Sequence, residues 1–155
     1  MNASDLVAEL AKASGLSNLK LNEHGVARLA FDKGTEVDLE EDSAEGVLHL
    51  YTRVMTVPAE GKEALYSRLL EANLYCAETA GATLAVDGAR NEVVLCRRLE
   101  LASTDFTGFS QSLEKLVSAC EALREELGAG AVTANATPPT SGAETFRVDP
   151  AAQWA

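Results

Sequence analysis

Val26-Ala27-Arg28-Leu29-Ala30-Phe31-Asp32-Lys33-Gly34-Thr35-Glu36-Val37-Asp38-Leu39-Glu40 is the stretch that decides the fold. Its apolar residues recur at every second position, the period of a strand whose side chains alternate between two faces. Leu29 and Phe31 share one face, and Arg28 points to the other. Asp32-Lys33-Gly34 is a turn between two such alternations, so a hairpin is predicted. On the returning strand Val37 and Leu39 lie on one side, with Glu36, Asp38 and Glu40 on the other. A strand apolar on one face and charged on the other belongs to an antiparallel sheet with one side in water.

Working outward, Glu41 to Gly46 form the next turn, and a longer strand covers about 46–57, through Val47-Leu48-His49-Leu50-Tyr51-Thr52-Arg53-Val54-Met55. Ala82–Val86 and Glu92–Leu99 make a second hairpin around Asp87-Gly88-Ala89-Arg90-Asn91. Between and around these strands the period changes to that of a helix. Ser4 and Asp5 cap a short amphipathic helix over about 4–14, with Leu6, Val7, Leu10 and Ala11 on its apolar face and Gly15 as its stop. The stretch 60–75 repeats Leu65, Leu69 and Ala72, and also Leu70 and Leu74. That apolar arc is wider than packing on one sheet face needs, as at a subunit interface. Ser103-Thr104-Asp105 caps a last helix whose stripe runs from Phe106 and Phe109 through Leu113, Leu116, Cys120 and Leu123 to Leu127. The order α-β-β-β-α-β-β-α predicts an α+β fold, a twisted antiparallel sheet packed by helices.

Composition narrows the function. The chain has 155 residues, with 13 Lys+Arg against 24 Asp+Glu, a formal net charge of −11. Such an excess argues against nucleic acid and against an anionic membrane surface as partners, since both need clustered cations. No apolar run has the length of a membrane span, and residues 1–5 lack the basic and apolar regions of a signal peptide. Cys76, Cys96 and Cys120 are odd in number and far apart, unlike a disulfide framework. The expectation is an acidic, soluble, cytosolic single domain over 1–127.

Residues 128–155 differ from everything before them. They hold three of the four prolines (Pro138, Pro139, Pro150) and the only tryptophan, Trp154. No period runs through them, so they read as a disordered tail. The other reading of the tail is a short docking motif made by Phe146, Val148 and Trp154.

Catalytic patterns are weak. His24 sits in a polar turn and His49 alternates with Leu48 and Leu50; neither has a nucleophile and an orienting group beside it in a known signature. The cysteines lack zinc-ligand spacing and read as small buried hydrophobes. Six acids crowd residues 36–45 without the order of a calcium loop, and no glycine-rich phosphate loop occurs. No catalytic residue, metal or cofactor is expected.

The middle helix and the hairpin after it carry a resemblance. Leu65-Tyr66-Ser67-Arg68-Leu69-Leu70-Glu71-Ala72-Asn73-Leu74-Tyr75, Ala82-Thr83-Leu84-Ala85-Val86-Asp87 and Glu92-Val93-Val94-Leu95-Cys96-Arg97-Arg98-Leu99 resemble the CesT-like (Tir chaperone) family of type III secretion chaperones. Leu29-Ala30-Phe31-Asp32, Val37-Asp38-Leu39-Glu40 and Leu48-His49-Leu50-Tyr51 look like the same family. Thr79-Ala80-Gly81-Ala82 departs from its common Thr-Gly-Gly-Ala run, and the tail has no counterpart in it. The resemblance covers about 5–127.

It implies a bacterial cytoplasmic homodimer without enzymatic activity. Such a dimer binds the N-terminal region of a secreted effector and keeps it soluble and export-competent, with the secretion apparatus as a further partner. The second helix and neighbouring strands then build the dimer, which makes Leu65, Tyr66, Leu69, Leu84 and Val86 the expected contacts. Apolar patches of the first helix and sheet take the effector, which points to Leu6, Leu10, Leu29 and Phe31. In some complexes of the family an effector strand joins a sheet edge. For Leu29 and Phe31 the residues equally allow packing against the first helix, and for the middle helix an intramolecular core. The alternative function is an acidic dimeric regulatory module that binds another cytosolic protein.

Overall fold

The computed structural model describes residues 1–128 and 142–149. Its elements are α1 (Ala3–Ser14), β1 (Val26–Ala30), β2 (Glu36–Asp42), β3 (Val47–Thr56), α2 (Lys62–Asn73), β4 (Thr83–Asp87), β5 (Glu92–Glu100), α3 (Phe106–Glu126) and β6 (Thr145–Arg147). The strands form one sheet in the order β4-β5-β3-β2-β1-β6. The first five pair antiparallel, and β6 pairs parallel with β1, so the sheet is mixed rather than purely antiparallel.

β6 falls where the sequence reading placed a structureless tail, and for residues 143–148 that reading is corrected. A three-residue strand in a Pro- and Ala-rich stretch has too little period to be seen. Trp154 and the prolines of the tail lie outside the described residues.

Local chemistry sets the element ends. Asn2, rather than Ser4, caps α1, its side chain accepting the Asp5 N–H at 2.8 Å. Gly15 closes α1 at φ 67°, a left-handed conformation that costs glycine little, and the Leu16 N–H bonds back to the Ala11 carbonyl at 3.0 Å. Asp105 caps α3 by accepting the Gly108 N–H at 2.8 Å. β3 carries a bulge between Arg53 and Met55. Arg124 of α3 donates to the Arg53 and Val54 carbonyls there and to Thr35 Oγ1 at 2.9 Å, which ties helix to sheet.

α1 and α3 bury their stripes in one core. Leu6 and Leu10 of α1 and Phe109, Leu113 and Leu116 of α3 meet Leu29, Leu39, Leu48, Leu50 and Leu95 of the sheet. Each of these residues is fully or almost fully buried.

Candidate functional site

The sheet face that carries Arg28 is charged but not fully solvated, contrary to its reading as a water-facing side. The β1–β2 register sets Arg28 directly opposite Asp38. Its guanidinium grips that carboxylate with two bonds of 2.6 Å, Nε to Oδ1 and Nη2 to Oδ2, and reaches Glu36 at 3.4 Å. Arg28 is 4% and Asp38 5% exposed. Burial pulls the Arg28 pKa down, but the hydrogen bond and charge of Asp38, with the charge of Glu36, outweigh it and leave the pKa above the ordinary arginine value. Tyr51 Oη of β3 donates to Glu40 of β2 at 3.0 Å, and Arg53 of β3 pairs with Glu92 of β5 at 3.4 Å. Pairs of this kind hold strands in register; among the described residues no group of three or more His, Cys, Asp or Glu could hold a metal ion.

Two sheet edges frame the molecule, and the chain pairs with part of each. At β4, Asn73 acts like a piece of a further strand: it accepts the Leu84 N–H at 2.8 Å and donates to the Leu84 carbonyl at 3.0 Å. At β1, β6 fills the edge with Leu29 opposite Phe146 and Ala30 opposite Arg147.

Beside the β4 edge lies an apolar surface. Tyr66, Leu70 and Leu74 follow one another at four-residue intervals, so they form one stripe that begins on α2 and ends in the turn after it. Leu70 is 71%, Leu74 62% and Tyr75 93% exposed. Val86 on β4, the strand against which α2 packs, is also exposed. Tyr75 and Cys76 adopt positive φ of 56° and 54°, which turns the chain sharply after α2 and pushes the Tyr75 ring outward. Arg68 bonds Glu78 and Glu126, joining α2 to the following turn and to the end of α3. Hydrogen bonds from Arg68 hold the Glu78 carboxyl below its ordinary pKa.

The expected dimer residues divide between two environments. Tyr66 and Val86 lie on the exposed surface, whereas Leu69 and Leu84 are buried and Leu65 packs partly against the core. Leu70 and Leu74, noted only as part of a wide apolar arc, dominate the exposed stripe. Tyr75 was missed, since it stands in a left-handed turn that has no period.

The expected effector residues also divide. Leu6, Leu10 and Leu29 are 0% exposed. All three belong to one buried core cluster, so the chain itself covers them and they present no open surface in this structure. Phe31 alone keeps exposed surface, at the end of β1 where it packs against the core cluster. His24 lies beside Glu23 at 3.5 Å on an exposed loop, and Cys120 is buried with its thiol near the Arg53 carbonyl. Burial pushes the thiol pKa of both Cys120 and Cys96 up.

Comparison with known proteins agrees with this architecture. A chain of the ExsC–ExsE complex superposes with a TM-score of 0.68 at 25% identity, over 81% of this chain and 96% of that one. A chain of the HopA1–SchA chaperone–effector complex gives 0.62 at 16% identity over 78% and 91%. A chain of the heterodimeric ExoU–SpcU complex from the type III secretion system of Pseudomonas aeruginosa gives 0.59 at 20% identity over 83% and 96%. No curated protein sequence matches the chain. No helix among the described residues is long and apolar enough to cross a membrane. The sequence itself matches a family of chaperones, not of enzymes, across residues 5–124, and on that match the chain belongs to the Tir chaperone protein (CesT) family.

Proposed function

We propose that the protein is a homodimeric chaperone that binds the N-terminal region of a type III secreted effector, keeping it soluble, partly unfolded and ready for export. The observation that carries this reading is membership of the chaperone family over residues 5–124. The geometry supports it in two ways. The stripe of Tyr66, Leu70 and Leu74, with Tyr75 and Val86, is apolar surface that a soluble chain covers, and a second copy offers the same surface in return. A client held in extended form needs apolar contacts and backbone partners to offset its ordering entropy. Phe31 supplies apolar surface of this kind at the end of β1. The net charge of −11 keeps such a complex soluble.

The test is recovery of the tagged protein from its native cells. An exported protein that co-purifies, and whose N-terminal region resists limited proteolysis only in the complex, is the expected result. A complex with a resident protein that is never exported would move the weight to the regulatory module.

A further inference from the structure

The strand β6 is part of this chain, yet it sits on the sheet as a separate piece. Thirteen residues, 129–141, connect it to the described body. Among the described residues it is the one parallel neighbour in the sheet, and it pairs over three residues. The Val148 N–H donates to the Ala30 carbonyl at 2.7 Å, and the Arg28 N–H donates to the Glu144 carbonyl at 3.4 Å. Phe146 packs on the core from the position opposite Leu29, and Val148 and Ala143 are buried. Thr145 and Arg147 remain exposed. The contact therefore has two side-chain anchors two residues apart and a short ladder between them.

Open space continues the edge at both ends. A groove of about 760 Å³ lies between the loop 17–24, with Leu19 and Leu21, and the segment of Gly142, Glu144 and Phe146. A second of about 340 Å³ lies where Ala30, Phe31 and Asp32 meet Arg147, Val148 and Asp149. At the start of β1 the loop already pairs Val26, whose carbonyl accepts the Asn22 N–H at 2.9 Å and whose N–H donates to Asn22 Oδ1 at 3.0 Å. A longer extended segment on the rest of β1 can in addition enter both grooves, which β6 does not fill.

We propose that residues 143–148 are a built-in occupant of the β1 edge, displaced by an extended client segment that presents apolar side chains two residues apart, as Phe146 and Val148 do. This rests on the client-binding reading above and adds its regulation. The free chaperone keeps a strand edge that would otherwise template aggregation covered. The client gains the edge by adding contacts in the two grooves, and the tethered strand returns when the client leaves.

The test uses the full chain and a fluorescein-labelled synthetic peptide of residues 142–149, GAETFRVD, read by fluorescence polarisation. In the intact chain the tethered copy competes. For a connection of this length its effective concentration is on the order of mM, so against a peptide Kd on the order of 100 μM it weakens apparent binding about tenfold. The double variant Phe146→Asp with Val148→Asp opens the edge, and the peptide is expected to bind it about tenfold more tightly than wild type. A peptide with both apolar residues replaced by Asp is expected not to bind. Val148→Pro removes the N–H given to Ala30 without adding charge and is expected to act in the same direction. Equal peptide binding by wild type and both variants overturns the proposal. So does unfolding of both variants by circular dichroism, because β6 is then an integral strand. The probe requires no client: a negative result retires the self-occupied edge alone, whereas the chaperone reading fails separately, when no exported protein co-purifies with the chain.

Discussion

Replacing Leu70 and Leu74 together by Asp separates the surface of α2 from its core side. Leu70 is 71% and Leu74 62% exposed, so each keeps about two thirds of its surface for a partner. Full burial of a leucine is worth roughly 1.5–3 kcal/mol, so the remaining surface is worth about 1–2 kcal/mol per residue. Both copies carry the substitutions, so four residues lose about 4–8 kcal/mol, which raises the dimer Kd about 700- to 500,000-fold. Carboxylates that must lose water in the interface add to this. The monomer pays far less. Leu65, Leu69 and Ala72 still face inward, and Asn73 still holds Leu84. Only Leu70 lies within α2, so the cost there is its helix propensity, about 0.5 kcal/mol. Sedimentation equilibrium reads the first quantity and urea unfolding of the monomer the second. A doubly substituted chain that dimerises as wild type does, or one that no longer folds, would refute the reasoning.

Other outcomes follow from the interior. Asp38→Asn leaves Arg28 buried beside a neutral partner and is expected to cost about 3–5 kcal/mol in urea unfolding, whereas Arg28→Met with Asp38→Leu stays near or above wild type; a loss under about 1 kcal/mol for the single change contradicts the buried-pair account. Burial raises the thiol pKa of Cys96 and Cys120, so a thiolate-selective reagent at mildly alkaline pH should label exposed Cys76 first, half-buried Cys96 more slowly and buried Cys120 only after unfolding. The sign of the linkage follows: the folded state holds these two protons more tightly, so their contribution is complete below the unfolded thiol pKa and declines as pH rises through the folded one. Fast labelling of Cys120 in the native chain would contradict its burial.

How much was legible in the sequence depended on whether the cause was local. Both hairpins and all three helices show in the period of their apolar residues, because a half-buried element writes its exposed and covered faces into the chain. Leu6, Leu10 and Leu29 illustrate the limit. Their spacing tells which face is apolar but not whether a client or another part of the same chain covers it, and here the chain does. Arg28 and Asp38 look like solvated outer-face charges until the register sets them opposite one another, and register is non-local. β6 depends wholly on β1 across more than a hundred residues, so no local signal announces it. At α2 the wide apolar arc was visible, and only packing decides that Leu69 goes inside while Leu70 remains at the surface.

The most direct test of the central claim is export of the co-purifying client from cells that lack this protein. The account predicts that the client disappears from the culture medium, is degraded or aggregates inside, and returns to the medium when wild-type protein is supplied. Undiminished export of the client in its absence would contradict the account.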